Sequence, residues 1–195
     1  MTRARKQANS SIGSIRIIGG SHRGRKLPVL NAEGLRPTTD RTKETLFNWL
    51  MMDVNGARCL DCFAGAGSLG FEALSRGAEV VNFMELDKQA AKQLTANATL
   101  LKYSPEEASV AQGNTLELLK QFSQTLNIVF IDPPFQQNLV QPCINLIDSR
   151  KLTQSGTKIY IEREVNSSLL QLPDSWRLIK EKSSQQVSAQ LYAVE

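Results

Sequence analysis

An α/β fold, built on a mostly parallel sheet of seven strands with an antiparallel C-terminal hairpin and a small N-terminal extension, is the class the sequence predicts. Three observations predict it. From residue 57 onward short apolar runs alternate with helical patterns, as strands joined by crossover helices do. A glycine-rich turn separates the first of these runs from the first helical pattern. The last two strand patterns have only Ser183–Gln186 between them, too short for a helix, so they pair antiparallel on an otherwise parallel sheet.

The elements follow in order. Residues 1–13 are polar and basic without periodicity and read as a flexible arm. Ser14–Ile18 and Lys26–Leu30 are short apolar segments flanking GGSHRGR, whose glycines suit the turn of a small β-hairpin. Leu35-Arg-Pro-Thr-Thr-Asp40 is an extended turn whose Thr and Asp residues can cap a helix from about Arg41 to Met52, with Leu46, Phe47, Trp49 and Leu50 on one face. Residues 14–52 thus form an extension, and 53–195 the main domain. Its strands are expected at Arg58–Cys62, Val80–Met84, Ser109–Ala111, Ile128–Ile131, Thr157–Glu162, Arg177–Lys182 and Val187–Ala193. Helices fit Ser68–Arg76, Lys88–Lys102 with a stripe at Ala90, Leu94, Ala98 and Leu101, Thr115–Phe122 and Leu139–Ser149.

With 41% hydrophobic and 22% charged residues in 195, the chain has the composition of an ordinary globular protein with a packed core. No run reaches the roughly 18 apolar residues of a membrane span, and the first residues lack a signal peptide's apolar stretch, so a cytoplasmic protein is expected. Three cysteines and one histidine are too few and too scattered for a zinc site, and no metal is expected. Cys59 and Cys62 lie three apart in a buried strand and point to opposite faces, which makes them core residues and not a redox pair. Charge is uneven: Met1–Lys43 carries 10 Lys/Arg against 2 Asp/Glu, a net of +8, and the remainder 13 against 17, a net of −4. Because that basic block contains an ordered hairpin, a polyanion partner is favoured over a solvated tail.

Gly65, Gly67 and Gly70 in Asp61-Cys-Phe-Ala-Gly65-Ala-Gly67-Ser-Leu-Gly70 match the spacing of a dinucleotide loop, with Glu85 at the end of the next strand as the ribose acid. The acid Asp61, four residues before Gly65, changes the reading. A carboxylate there repels a pyrophosphate and attracts a cation. S-adenosylmethionine carries an ammonium and a sulfonium and no phosphate, so it is preferred to a nicotinamide nucleotide. Glu85 is assigned to the ribose and Asp87 to a helix cap, while the apolar Leu86 between them could flank the adenine. Asn114 serves equally as an adenine contact or as the cap of the next helix.

The fourth strand runs into Asp132-Pro133-Pro134-Phe135. Two prolines after an acid give a stiff backbone without N–H donors, so the acceptors suit an amine. An exocyclic NH₂ on a nucleobase is a poor nucleophile because its lone pair is delocalised into the ring. Acceptors on both hydrogens turn it toward sp³ geometry, and Phe135 offers a face for a base removed from its stack.

These motifs resemble those of the class I S-adenosylmethionine-dependent methyltransferases that modify base amino groups, which have a Rossmann-like fold. Arg16-Ile-Ile-Gly-Gly-Ser-His-Arg-Gly-Arg-Lys-Leu27, Leu35-Arg-Pro-Thr-Thr-Asp-Arg-Thr-Lys-Glu-Thr-Leu-Phe-Asn-Trp-Leu50 and Leu60–Gly77 are similar to the bacterial 16S rRNA (guanine-N2)-methyltransferases, the RsmD family. The resemblance covers the chain from about residue 14. It implies methylation of one guanine amine in 16S ribosomal RNA, within small subunits already assembled with their proteins; a monomer is expected. It implies further that Asp61, Phe63, Ala64, Gly65 and Gly67 hold the methionine portion, Glu85 and Leu86 the nucleoside, and Thr38 and Thr39 the donor carboxylate. Asp132 and the Pro133 carbonyl would grip the guanine amine and Phe135 stack on its ring. Arg16, Arg23, Arg25, Lys26, Arg36 and Arg41 would meet RNA. Asn114 stands where many relatives carry Asp, and the final hairpin lacks a glycine turn. The rival readings are an adenine-N6 DNA methyltransferase, since the same four-residue motif serves that chemistry, and a non-catalytic rRNA-binding assembly factor.

Overall fold

A computed structural model describes residues 13–29 and 40–195. Of the arm expected at 1–13, residues 1–12 lie outside the described residues, as does the expected turn carrying Arg36, Thr38 and Thr39, while Gly13 belongs to the first strand and not to the arm. The N-terminal hairpin is β1 (Gly13–Arg16) and β2 (Lys26–Val29), followed by α1 (Asp40–Trp49). The main domain then runs β3 (Arg58–Asp61), α2 (Ser68–Ser75), β4 (Val80–Glu85), α3 (Lys88–Leu100), β5 (Ala108–Gln112), α4 (Thr115–Gln121), β6 (Leu126–Ile131), α5 (Val140–Ser149), β7 (Thr153–Glu164), β8 (Trp176–Ser183) and β9 (Val187–Val194).

Seven strands form one sheet in the order β5-β4-β3-β6-β7-β9-β8, and all the predicted strands are present. β3 pairs parallel with both β4 and β6, β6 parallel with β7, and β9 antiparallel with β7 and β8. Strand order therefore reverses between β3 and β6, the switch point at whose carboxyl ends ligands bind in such sheets. Because β9 is antiparallel to both its neighbours, β8 runs with β7 and ends at this same rim. Its turn needs no glycine: the Ser184 hydroxyl accepts the amides of Gln186 and Val187 at 3.4 and 3.0 Å, and Ser184 N–H donates to the Val187 carbonyl.

Both faces of the sheet are covered. Leu46, Phe71, Phe83, Leu94, Phe130 and Tyr160 belong to one core beneath α1, α2 and α3, and Leu60, Met84, Ile131, Ile144 and Ile161 to a second beneath α4 and α5. Cys59 joins the first and Cys62 the second, both buried free thiols, as strand alternation requires. Burial pushes the Cys59 and Cys62 thiols well up and that of Cys143 up to about 12. The stripe on α3 differs from expectation. Ala91 is buried with Leu94, Ala98 and Leu101, while Ala90 is only half-buried, because the Asp87 cap on the amides of Gln89 and Ala90 fixes the helix's rotation from its first turn. No helix of the described residues is long and apolar enough to cross a membrane.

The N-terminal hairpin is bound into the main domain. Ile15, Ile17, Leu27 and Val29 enter the same core as Phe71 and Leu94. Glu72 on α2 has no solvent exposure, accepts the Ile18 amide at 2.8 Å and pairs with Arg76 at 2.7 Å. The Arg76 guanidinium lies 5.1 Å over the Phe47 ring, so helix α1 joins the same cluster. Ser75 completes the clasp, donating its hydroxyl to the Gly19 carbonyl at 2.6 Å and accepting the His22 amide at 2.9 Å. Gly20 is required there: at φ +74° its missing Cβ would lie 1.7 Å from the Ser75 carbonyl.

Replacing Glu72 with Ala strands a buried amide and an ion-paired guanidinium together. The expected result is a loss of about 3 kcal/mol in denaturant-unfolding free energy, with the Ile18 amide losing its protection in hydrogen exchange before the central strands do.

Candidate active site

The carboxyl ends of β3, β4, β6 and β7 open on a cleft of about 950 Å³. Parallel strands leave this rim to the connecting turns, and three of those turns carry an acid. Glu85, the last residue of β4, holds the Gly65 amide through Oε2 at 2.7 Å and the Asp87 amide through Oε1 at 2.8 Å. Each carboxylate oxygen keeps a second lone pair for a ligand hydroxyl. Phe63, Ala64, Gly65, Glu85, Leu86 and Asn114 all line this half of the cleft, so the predicted contacts converge there with two exceptions.

Asp61 is the first exception. It lies beneath the loop, only 2% exposed and off the cleft wall, accepting the Gly70 amide at 3.1 Å. Burial pushes its carboxyl up to about 7, against the lowering effect of the Gly70 hydrogen bond. Gly67 is the second. At φ +79° it turns the chain into α2, and a Cβ would lie 2.6 Å from Leu94 Cδ2 and from the Phe71 ring. Gly67 is closely packed there, and of the pair Gly65 lines the cleft. Gly70 packs in the same way, since a Cβ there would lie 2.1 Å from Phe83. Asn114 is the cap of α4, its Oδ1 accepting the Leu116 and Glu117 amides, and the residue also borders the cleft.

Two observations bear on what this half could hold. Ser68, the first residue of α2, lines the cleft with a buried hydroxyl that has no hydrogen-bond partner among the described residues. Leu86 is 64% exposed and lines the cleft, as does Leu116. A hydroxyl awaiting an acceptor, a carboxylate awaiting hydroxyls and an uncovered apolar side chain suit an amino-acid carboxylate, a ribose and an adenine. The residues fit S-adenosylmethionine.

The other half is built by β6, β7 and α1. Asp132, Pro133 and Phe135 line it as predicted. The loop after Phe135 is fastened to β7, where Glu164 Oε2 accepts the Gln136 amide at 3.1 Å. Sequence reading missed Tyr160, Glu162 and Lys182, which face this half from β7 and β8, and Thr42, Thr45 and Trp49 of α1. Tyr160 is fully buried and donates its hydroxyl to Glu162 Oε2 at 2.8 Å. Burial first, then the Glu162 and Asp132 carboxylates, hold the Tyr160 phenol protonated well above its usual range.

Of the basic residues, Arg23, Arg25, Lys26 and Arg41 are exposed. Arg16 is exposed too but pairs with Asp40 at 2.8 Å. At the hairpin tip Arg23 and Arg25 join Lys102 and His22 around a shallow depression of about 520 Å³. Lys43 is not part of this surface. It is 1% exposed, donates to the Arg16 carbonyl, and burial lowers its affinity for a proton despite Glu72 and Asp40.

Comparison with known proteins agrees with this architecture. Residues 15–193 match the family model described as conserved hypothetical protein 95. The chain is 50% identical over 188 residues to ribosomal RNA small subunit methyltransferase D of Haemophilus influenzae, covering 95% of this chain and 97% of that one. It is 46% identical over 191 residues to the protein of the same name from Escherichia coli, covering 98% and 96%. The solved structure of the Escherichia coli yhhF protein superposes with a TM-score of 0.87 at 47% identity, over 94% of this chain and 99% of that chain. A Haemophilus influenzae structure gives 0.82 at 47% identity, over 93% and 99%. The fold is that of the class I methyltransferases, and the chain belongs to the family of ribosomal RNA small subunit methyltransferase D.

Proposed function

We propose that this protein uses S-adenosylmethionine, without a metal, to methylate the exocyclic N2 amine of a guanine in 16S ribosomal RNA, acting as a cytoplasmic monomer on assembled small subunits. The observation that carries the reading is that one cleft joins a nucleoside-type half, Gly65 with Glu85, to an amine-gripping half, Asp132-Pro-Pro-Phe135. The printed names of the relatives support a ribosomal RNA substrate. Residues 53–195 form the catalytic domain and 14–52 the RNA-binding extension.

Ser68 and the amide end of α2 hold the donor carboxylate, with Thr38 and Thr39 closing over it. Glu85 holds the ribose, and Leu86 and Asn114 the adenine. When bound, the donor supplies a methyl group made electrophilic by a sulfonium. Asp132 and the Pro133 carbonyl each accept one amine hydrogen and aim the nitrogen lone pair, while Phe135 stacks on the extruded base. Asp132 orients the amine and is not a strong base, since the amine loses its proton readily once alkylated. Alignment of two bound reactants is worth roughly 7–11 kcal/mol, which makes positioning the main contribution.

The deciding experiment incubates the protein with labelled donor and either DNA, naked ribosomal RNA or small subunits from cells lacking the enzyme, then identifies the methylated nucleoside by mass spectrometry. Only N2-methylguanosine from subunits fits; N6-methyladenine in DNA, or no transfer with intact RNA binding, overturns the reading. In the same assay Asp132→Ala leaves donor affinity within about threefold and lowers turnover by about 100-fold or more.

Asp61 gives donor binding a pH dependence. Its carboxyl ordinarily ionises near 3.8, and burial holds the proton up to about 7. A cationic ligand favours the ionised form, so donor affinity rises with pH by up to about tenfold per unit below 7 and levels off above it. Calorimetric titration from pH 5.5 to 8.5 measures this, and Asp61→Asn flattens the curve.

RNA affinity falls as salt rises, because each neutralised phosphate releases counterions. The Arg23→Ala, Arg25→Ala double variant reduces the slope of log affinity against log salt by about 2 and leaves donor binding unchanged.

A further inference from the structure

The strand register places four residues in one transverse row at the acceptor half of the cleft. β6 and β7 pair Phe130 with Tyr160 and Ile131 with Ile161, so Asp132, one residue past β6, lies beside Glu162. β9 pairs Ala189 with Glu162, and β8 pairs Lys182 with Ala189. The row across the rim is therefore Asp132, Glu162, Ala189, Lys182, and all four line the cleft. Strands stand about 4.8 Å apart, and alternation puts these side chains on the face shared with Tyr160. Tyr160 fixes the Glu162 carboxylate from below, donating to Oε2 at 2.8 Å. The ammonium of Lys182 is held across the cleft by Thr45 Oγ1 of α1 at 3.0 Å. Ala189 contributes only a methyl between the two charged groups, leaving width for a flat ring.

The row offers acceptors at Asp132 and Glu162 and then, two strand spacings or about 10 Å further along, the long side chain of Lys182 as a donor. The purines differ along the corresponding edge. Guanine presents the N2 amine and N1–H as donors and O6 as an acceptor. Adenine presents its amine beside a bare N1 acceptor, which would face a carboxylate.

We infer that Glu162 and Lys182 are the residues that select guanine, Glu162 accepting N1–H beside the amine held by Asp132, and Lys182 donating to O6. Tyr160 is a positioning residue for Glu162, since its hydroxyl donates to that carboxylate. The inference rests on the proposed methylation of a base amine in the cleft and names the specificity of that site. A carboxylate here rejects 2,6-diaminopurine, which keeps the N2 amine but turns N1 into an acceptor and O6 into an amine, so both outer contacts become repulsive or unpaired.

The test uses ribosomal RNA ligated with either guanine or 2,6-diaminopurine at the methylated position and assembled into subunits, with the wild-type protein, Glu162→Gln and Lys182→Met. Wild type prefers guanine by about 100-fold in kcat/KM. In Glu162→Gln the amide can donate to the bare N1, and the preference contracts to about tenfold or less. Lys182→Met, at an exposed position on the edge strand, lowers kcat/KM for guanine more than for the analogue. Donor affinity, measured by calorimetry, stays at the wild-type value in both and shows that the variants are folded. A preference that is unchanged in both variants, with donor affinity intact, overturns the assignment of Glu162 and Lys182 while leaving the methylation reading standing. Absence of N2-methylguanosine with the wild-type protein overturns the methylation reading itself.

Discussion

The glycine turn between β3 and α2 is held by carboxylates from two adjacent strand ends, and the cleft depends on that restraint. A turn that swings the chain through φ +51° at Gly65 and +79° at Gly67 has few ladder hydrogen bonds of its own. Glu85 fastens it from the side through the Gly65 amide, and Asp61 from below through Gly70. The same Glu85 carboxylate reaches the Asp87 amide, so one side chain fixes both the loop over β3 and the turn out of β4. The acid is structural and still faces the cleft. Two oxygens anchored to backbone amides cannot swing away, and their remaining lone pairs are presented in a set direction. Asp61 contributes differently: it lies buried beneath the turn, and burial pushes its carboxyl up to about 7 against the lowering effect of the Gly70 hydrogen bond.

A second buried carboxylate joins the extension to the catalytic sheet. Glu72 binds the backbone of the N-terminal hairpin and the Arg76 side chain, and Arg76 covers Phe47 of α1. Helix α1 also lines the cleft through Thr42, Thr45 and Trp49. The hairpin, the helix and the sheet therefore share one core, and the base of the hairpin, at Gly13 to Ile15 and Val29, forms part of the cleft wall. Its tip packs on Ser75 and Tyr103, at the far ends of α2 and α3. The basic tip thus stands about one helix length, ~12 Å for the eight residues of α2, from the reacting rim. That distance separates the basic surface from the cleft.

Most of the sheet was legible because each strand is a contiguous apolar run ended by an acid or a turn residue. Asp61, Glu85 and Asp132 stood out because they follow such runs directly. Strand ends were less legible. β7 begins at Thr153, four residues earlier than its apolar pattern, since Gly156 at φ +89° and the shift between Leu126 and Ile128 bend its start out of register. The packing of Gly67 was not legible, because spacing alone does not separate a glycine that meets a ligand from one that meets Leu94 and Phe71. Glu162 carried the same signal as the other acids, the end of an apolar run, but its partners lie on strands joined through a late hairpin. Lys182 carried none, because an exposed lysine on an edge strand reads as protection against edge pairing.

That hairpin is what permits a cation at the reacting rim. In a wholly parallel sheet every strand is entered from a crossover helix and points its carboxyl end at the rim, and in this chain the ends of β4, β6 and β7 bring acids to the cleft. β9 enters from the rim in the opposite direction, so β8 can finish at the rim with only Ser184 to Gln186 between them. The edge strand can then carry lysine at low cost, because its outer side faces solvent, whereas an unpaired lysine on a central strand would be buried against the core. Opposite charges three strands apart across a narrow cleft define an axis along which a flat ring has one favourable orientation. A purine whose edge runs donor, donor, acceptor matches that axis, and turning the ring over sets its carbonyl against a carboxylate.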